Sequence, residues 1–293
     1  MRLEEGVELA RFTTLGTGGA ARAFARPESV AEVEELLRWA AERELRVATV
    51  GLGSNLLIAD AGVDALVLKL GGELVAIAST DARVSAGGGA ANAVVLHHAR
   101  DAGLGGFEFA CAIPGTIGGG VWMNGGAYGG DFAQVLERVF VATAEGTGYL
   151  TPAELGLSYR HSSLRHGQVV VEAELGLRPR DPVEIKNEVR DLNARRKAAQ
   201  PTNRRTFGSV FKNPEHELTA GRMLEACGLK GHRIGGAQIS PKHANFIENA
   251  GGAATADAIA LMAKTRRRAN EQYGVELLHE VELLGELELP PLG

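Results

Sequence analysis

Apolar residues first recur at helical spacing from Val30, with Val30, Val33, Leu36, Leu37 and Ala40 on one face. Ser29 and Glu32 form an S-x-x-E capping box, so a helix starts at Ser29. The period then shortens, and Arg46 to Val50 reads as a strand running directly into the turn GLGSNLL. Short β-rich runs follow at 65–70, 73–78 and 82–88. A helix from Asn92 to Ala102 stops at Gly103. Strands resume at 135–143 and 168–177, and between them TPAE (151–154) predicts a short helix with proline in its first turn. Asp181, Pro182 and Glu184 open a long helix that ends at Gln200-Pro201. Beyond it come a helix at 219–227 stopped by Gly228, strands within 236–248, a helix at 255–273 stopped by Gly274, and a last strand at 275–284. Alternation in that strand puts Glu276, Leu278, Glu280 and Glu282 on one face, and Leu277, His279, Val281 and Leu283 on the other. Both halves are α+β, and RPRDP (178–182) is the candidate joint between them.

The length of 293 residues fits two domains or one large one, and 45% apolar with 23% charged residues is ordinary for a globular chain. A net charge of −5 argues against bulk recruitment of nucleic acid or an acidic membrane. The 39 glycines change the picture: they are about 13% of the chain against an average of ~7%, and they cluster. Such clusters bring backbone close to a ligand. Cys111 and Cys227 lie far apart without C-x-x-C partners, which reads as two reduced core thiols rather than a zinc or redox pair. The start MRLEEGVELARF lacks the apolar stretch of a signal peptide, and no run of ~18 apolar residues predicts a membrane span. A cytoplasmic location is the expectation.

Three stretches carry candidate chemistry. In VGLGSNLL (50–57) the position for a third Rossmann glycine is Leu56, so that fingerprint fails. What remains is either a strand-end turn or a run of amides with Ser54 and Asn55 suited to an anion. PGTIGGGVWMNGGAYGG (114–130) is no P-loop, because Val121-Trp122 replace the Lys and Ser/Thr. Glycines beside Trp122 and Tyr128 fit a loop packed on a flat ligand better than a linker. Two such loops in one half point to a ligand with a diphosphate and a flat ring. FAD fits both, and a nucleotide sugar fits the first. FGSVFKNP (207–214) sets a hydroxyl, an ammonium and an amide among apolar residues, as either a strand ending in an Asn-Pro turn or a reaction site. Lys212, Lys230 and Lys242 fall in a lysine-poor chain and are candidate anion contacts or solvated strand ends. Tyr159 and Arg160 stand in a loop, and the pattern does not single out Glu280 from its acidic face. Neither H-E-x-x-H nor G-x-S-x-G occurs, and no metal site is expected.

Blocks along nearly the whole chain resemble the UDP-N-acetylenolpyruvoylglucosamine reductase family: FTTLGTGGAARAF (12–24), GLGSNLL (51–57), IPGTIGGG (113–120), NGGAYG (124–129), SYRHS (158–162), GSVFKNP (208–214), CGLKGHRIGGAQIS (227–240), HANFIEN (243–249) and HEV (279–281). The resemblance implies an FAD-binding region of the p-cresol methylhydroxylase and vanillyl-alcohol oxidase type at 1–178, with two α+β subdomains meeting near 60, and an α+β substrate-binding domain at 179–293. It implies non-covalent FAD, NADPH as co-substrate and a nucleotide-sugar substrate reduced for cell-wall precursor synthesis, hence a part in cell shape and division. By resemblance Gly51, Gly53, Ser54 and Asn55 cradle the flavin diphosphate, while Pro114, Gly115, Thr116, Ile117, Gly118, Gly119, Gly125 and Tyr128 line the flavin. Arg160, Ser209 and Glu280 fall on catalytic positions, and Tyr159, Lys212, Asn213, Lys230 and His243 on substrate contacts. Thr206-Phe207 and His279 depart from the family pattern, and the chain lacks the substrate-capping insertion of the longer subclass. A monomer is expected. The rival activity is an FAD-dependent oxidase of the same fold; the rival class is a non-catalytic nucleotide-sugar binder without flavin.

Overall fold

Helix α1 (Val30–Ala41) begins where the Ser29 hydroxyl accepts from the Glu32 amide at 3.2 Å. Glu32 returns the bond one residue earlier than a capping box predicts, accepting from the Glu28 amide at 2.7 Å. Val33, Leu36, Leu37 and Ala40 are buried, the stripe that the spacing predicts. The structure is a computed structural model and describes residues 2–292.

The described residues pack as two compact units. The first takes the chain up to Glu5, Ala23–Leu52 and Asp64–Arg196; the second takes Gly6–Arg22, Gly53–Val63 and the chain from Lys197 on. The packing therefore does not follow a linear cut at 178. Residues 179–196 stay with the first unit because Arg178–Pro179 pairs with Leu104–Gly105 and Arg180 Nη1 reaches Glu108 at 2.8 Å and Glu188 at 2.6 Å.

In the first unit, five antiparallel strands run in the order Gly146–Leu150, Leu136–Thr143, Val169–Gly176, Arg83–Gly87 and Ile77–Thr80. Arg46–Thr49 and Val63–Leu68 pair in parallel, Arg46 opposite Ala65. Helix α2 (Asn92–Asp101) ends before Gly103, whose φ of 69° is left-handed. Helix α3 (Ile117–Trp122) is a single short piece capped by Thr116. Phe107, Phe109 and Phe132 meet edge to face in the core, with centroids 5.3–6.1 Å apart. Helix α4 (Pro182–Ala199) starts where Asp181 accepts from the Val183 amide at 2.8 Å.

In the second unit, Thr206–Ser209, Phe246–Asn249, Ala237–Ile239 and Arg233–Ile234 form an antiparallel sheet in that order. Helix α5 (Ala220–Ala226) and helix α6 (Thr255–Tyr273) share a core with it that includes Phe207, Phe211, Met223, Leu224, Leu261 and Met262. Gly274, at φ 65°, ends α6 as the sequence predicts. Glu282–Leu284 lies parallel to Leu56–Ile58, Glu282 opposite Leu56.

Three expectations are corrected. TPAE forms a turn rather than a helix, because the Glu154 carboxylate folds back on the Thr151 amide at 2.7 Å and Gly156 follows at φ 52°. The run at 73–78 begins as a 3-10 turn (Gly72–Val75) before its strand, Gly72 being left-handed. The last strand is only Glu282–Leu284. Leu277 and Val281 are buried as the alternation predicts, but His279 is exposed, its Nδ1 2.8 Å from the Val281 carbonyl.

Candidate active site

The first unit carries Gly51, the 114–128 loop, Tyr159 and Arg160. Gly51 follows the strand Arg46–Thr49, and its carbonyl accepts from Lys69 Nζ at 2.7 Å. That bond sets Lys69 against the loop, and burial, then the charge of Arg26, lowers its pKa; within an apolar run it carries no local signal of this role. Two amides of the glycine-rich loop are engaged inside the fold: Ile117 N donates to the Ala90 carbonyl at 2.9 Å, and Gly118 N to the Gly88 carbonyl at 2.8 Å. The Ile117 side chain is fully buried. These residues fix the loop and leave its surface to their neighbours. Gly119 is exposed, and a Cβ there would meet nothing nearer than Thr116 Oγ1 at 3.6 Å. Its own packing does not demand glycine; a flat ligand laid on bare backbone would. Pro114 is exposed and Gly115 half-buried beside it. Gly125 is held by its amide on the Gly120 carbonyl at 2.8 Å. Tyr128 has φ 54° and is 40% exposed, with the Arg195 guanidinium 4.7 Å from its ring centroid. A cavity of about 530 Å³ opens beside Tyr128, Gly129 and Gly130 and is bordered by Glu108 and Arg180.

Arg160 sits in a tight turn, with Ser158 and His161 exchanging both backbone bonds at 3.1 Å. Its φ is 54°, its Nη2 donates to the Gly126 carbonyl at 2.5 Å, and its guanidinium lies 5.0 Å from the Tyr159 ring centroid.

The second unit brings Gly53, Ser54 and Asn55 together with Ser209 and Glu280. Gly53 is left-handed, φ 64°, and a Cβ would stand 1.9 Å from the Phe12 carbonyl oxygen, so only glycine closes this turn. The Asn55 amide donates to the Glu280 carbonyl at 3.1 Å, and the Asn55 carbonyl accepts from Glu282 N at 3.0 Å. Glu280 N in turn donates to the Val210 carbonyl at 2.8 Å, one residue from Ser209. Thr206 pairs with Glu248 and Ser209 with Phe246, so the Ser209 strand holds one extra residue, a bulge. Gly208 carries it at φ 85°, and a Cβ there would lie 3.2 Å from the Ser54 carbonyl. Turn and hydroxyl are thus one feature: the FGSVFKNP stretch is a bulged strand that meets the Ser54 loop.

Lys212 donates its backbone N to the Leu278 carbonyl at 2.9 Å. Asn213 Oδ1 accepts from Ala220 N at 3.2 Å, at the start of α5. Lys230 pairs with Glu225, which lowers the Glu225 pKa. His243 is mostly buried. Burial first and the Lys230 charge second lower its pKa, with Glu225 opposing. Its Nδ1 accepts from Asn245 N at 3.2 Å, and its ring stands edge-on to Phe246 at 4.9 Å.

Two buried asparagines were missed. Asn245 Oδ1 accepts from Phe211 N at 2.9 Å while its Nδ2 donates to the Phe211 carbonyl at 2.8 Å, clamping the strand just past Ser209. Asn124 bridges two loops of the first unit. Asn245 lies in HANFIEN and Asn124 in NGGAYG, but a buried amide that reaches distant backbone leaves no local signal.

Two family matches cover most of the chain. The C-terminal domain of UDP-N-acetylenolpyruvoylglucosamine reductase matches residues 200–284, and an FAD binding domain matches residues 21–149. UDP-N-acetylenolpyruvoylglucosamine reductase 2 of Symbiobacterium thermophilum is 43% identical over 286 residues, covering 97% of this chain and 92% of the relative. The reductase of Myxococcus xanthus is 41% identical over 288 residues, covering 97% and 93%. The crystal structure of the Thermus caldophilus enzyme superposes with a TM-score of 0.84 at 37% identity, covering 97% of this chain and 99% of that one.

Proposed function

The chain belongs to the UDP-N-acetylenolpyruvoylglucosamine reductase family, and from that premise we propose that it reduces the enolpyruvyl ether of UDP-N-acetylglucosamine to UDP-N-acetylmuramate for peptidoglycan synthesis. NADPH is the electron donor. FAD, when bound, would supply hydride transfer from NADPH to the β-carbon of the substrate double bond, by way of its N5. The bare surface at Gly119 and the left-handed turn at Gly53 fit that cofactor. Gly51, Gly53, Ser54 and Asn55 would hold its diphosphate. Pro114 to Gly119, Gly125 and Tyr128 would line its ring, Ile117 and Gly118 by shaping the loop. Burial raises the Cys111 thiol, which makes it a poor nucleophile and fits a cofactor held without a covalent link.

The rest of the chemistry is the chain's own. As the β-carbon takes hydride, negative charge builds on the substrate α-carbon and carboxylate. Arg160 meets that charge, and a guanidinium already bonded to Gly126 need not reorganise to do so. The Ser209 hydroxyl then protonates the α-carbon; an alcohol donates to carbon only beside a base as strong as this enolate. Glu280 orients the substrate near the reacting carbon. Tyr159, Lys212, Asn213, Lys230 and His243 bind the nucleotide sugar.

The observation that carries this reading is the hydrogen-bond relay of the second unit. The Asn55 side-chain amide donates to the Glu280 carbonyl and Glu280 N to the Val210 carbonyl, so the proposed diphosphate loop is tied to the backbone of the glutamate and of the residue next to Ser209. No helix among the described residues is long and apolar enough to cross a membrane. In this reading the chain would act in the cytoplasm, as a monomer, in support of cell shape and division. The test is anaerobic stopped flow. The yellow protein should bleach with NADPH and regain its colour on the enolpyruvyl substrate. Colour that returns only with oxygen, or a colourless protein that does not take up FAD, overturns the proposal.

A further inference from the structure

Asn124 is only 2% exposed and has φ 40°, one of three left-handed non-glycine residues, with Tyr128 and Arg160, on the two loops that it bridges. Its side chain bonds to backbone on two sides. Oδ1 accepts from Ala133 N at 2.9 Å, and Nδ2 donates to the Ser158 carbonyl at 2.9 Å. Ser158 is the first residue of the turn that carries Arg160. Two more bonds tie the same turn to the same segment: Ser162 Oγ donates to the Trp122 carbonyl at 2.7 Å, and Arg160 Nη2 to the Gly126 carbonyl at 2.5 Å. Gly126 leaves room for this approach, since a Cβ there would stand 3.0 Å from Arg160 Nη1.

The turn needs such ties. An arginine at φ 54° is held against its own preference, and a left-handed non-glycine residue persists only where its surroundings over-determine it. Without the Asn124 bond, the Ser158 end of the turn is free to move, and the Tyr159–Arg160 peptide can relax to an ordinary angle. The guanidinium would then swing off the Gly126 carbonyl. We propose that Asn124 is a positioning residue for Arg160: its amide holds the strained Ser158–His161 turn so that the guanidinium meets the charge developing on substrate. This rests on the role given to Arg160 above.

Asn124→Asp tests it. Aspartate tolerates the left-handed angle and keeps the acceptor for Ala133 N, but loses the donor to Ser158. FAD affinity and the rate of flavin reduction by NADPH should stay within about twofold of wild type. Reoxidation by the enolpyruvyl substrate should slow roughly 10- to 100-fold, the scale of a misplaced catalytic group. The decisive readout is a double-mutant cycle. In an Arg160→Lys background, Asn124→Asp should cost less than about a further twofold, because the group it positions is already gone. An equal cost in both backgrounds, or parallel loss of FAD and of both half-reactions, overturns the proposal. Should Asn124→Asp fail to fold, Ser162→Ala, which cuts the neighbouring tie, must show the same coupling to Arg160→Lys or the proposal falls. Wild-type turnover, measured first, separates this outcome from failure of the proposed function.

Discussion

Gly208, beside Ser209, and Arg160 both stand at left-handed backbone angles, φ 85° and 54°. In the second unit a glycine carries the angle, and the proposed proton donor is its neighbour in a paired strand. In the first unit the arginine carries the angle itself, in a four-residue turn outside any sheet. Each place has a buried asparagine: Asn245 clamps both backbone groups of Phe211, and Asn124 holds one carbonyl of the Arg160 turn. Where a sheet and a glycine absorb the strain, the clamp serves stability. Where a side chain must bear it, the clamp serves the direction in which a guanidinium points.

Removing the reacting groups tests that contrast most strongly. Ser209→Ala deletes a hydroxyl from a strand that pairs with Phe246–Asn249 through its backbone, so fold, FAD content and reduction by NADPH should survive. Reoxidation by substrate should fall by about 10³-fold or more, within the range for a lost general acid. Stopped-flow absorbance on the separate half-reactions checks this; wild-type turnover would make Ser209 a turn residue and no more.

Asn245→Ala comes next and acts on stability. It strands the Phe211 N–H and C=O in the core, where unmet polar groups cost about 1–3 kcal/mol each, so urea unfolding should show a loss of roughly 3 kcal/mol. A loss below about 1 kcal/mol would mean that the sheet alone holds the strand. Arg160→Lys reverses the pattern. Stability should be untouched, while the substrate half-reaction should drop about 10²-fold, because lysine keeps the charge and loses the planar fork. A near-normal rate would leave Arg160 as a loop residue.

The parts of this picture legible in the sequence are those set by neighbours in the chain. Ser29 and Glu32 announce α1, and Gly103 and Gly274 stop their helices, because caps and left-handed glycines act within a few residues. TPAE misled because its acid satisfies the Thr151 amide in a turn as well as in a helix. His279 misled because alternation presumes a continuous strand, whereas His279 pairs only as an isolated bridge opposite Phe211 and the strand proper starts at Glu282. The order of motif blocks carried the candidate site, whereas residue chemistry alone left Glu280 indistinct among four acidic or exposed positions. The clamps at Asn124 and Asn245 were illegible. Their partners are Ser158 and Phe211, both 34 residues away, and nothing local distinguishes a buried amide from a turn asparagine.

The smallest effect separates the two clamps by pH. His243 backs Asn245, its Nδ1 accepting from the Asn245 amide N–H, whereas Asn124 is bonded to backbone groups. Protonating His243 would remove that acceptor and place a cation in a largely buried site beside Lys230, with Glu225 giving partial relief. Its pKa in the fold is therefore below the unfolded value of about 6.5. The sign follows. Between the folded and unfolded pKa values the unfolded chain binds more protons, so stability rises with pH there. The His243 contribution is complete above about pH 6.5, fades as the pH falls toward the folded value, and is lost below it. His243→Gln keeps an uncharged polar side chain and cannot titrate. Urea midpoints at about pH 7.5 and pH 5.5 should therefore separate less in the variant than in wild type. Equal separations would mean that His243 is solvated when charged and that its bond to Asn245 adds nothing to the clamp on the Ser209 strand.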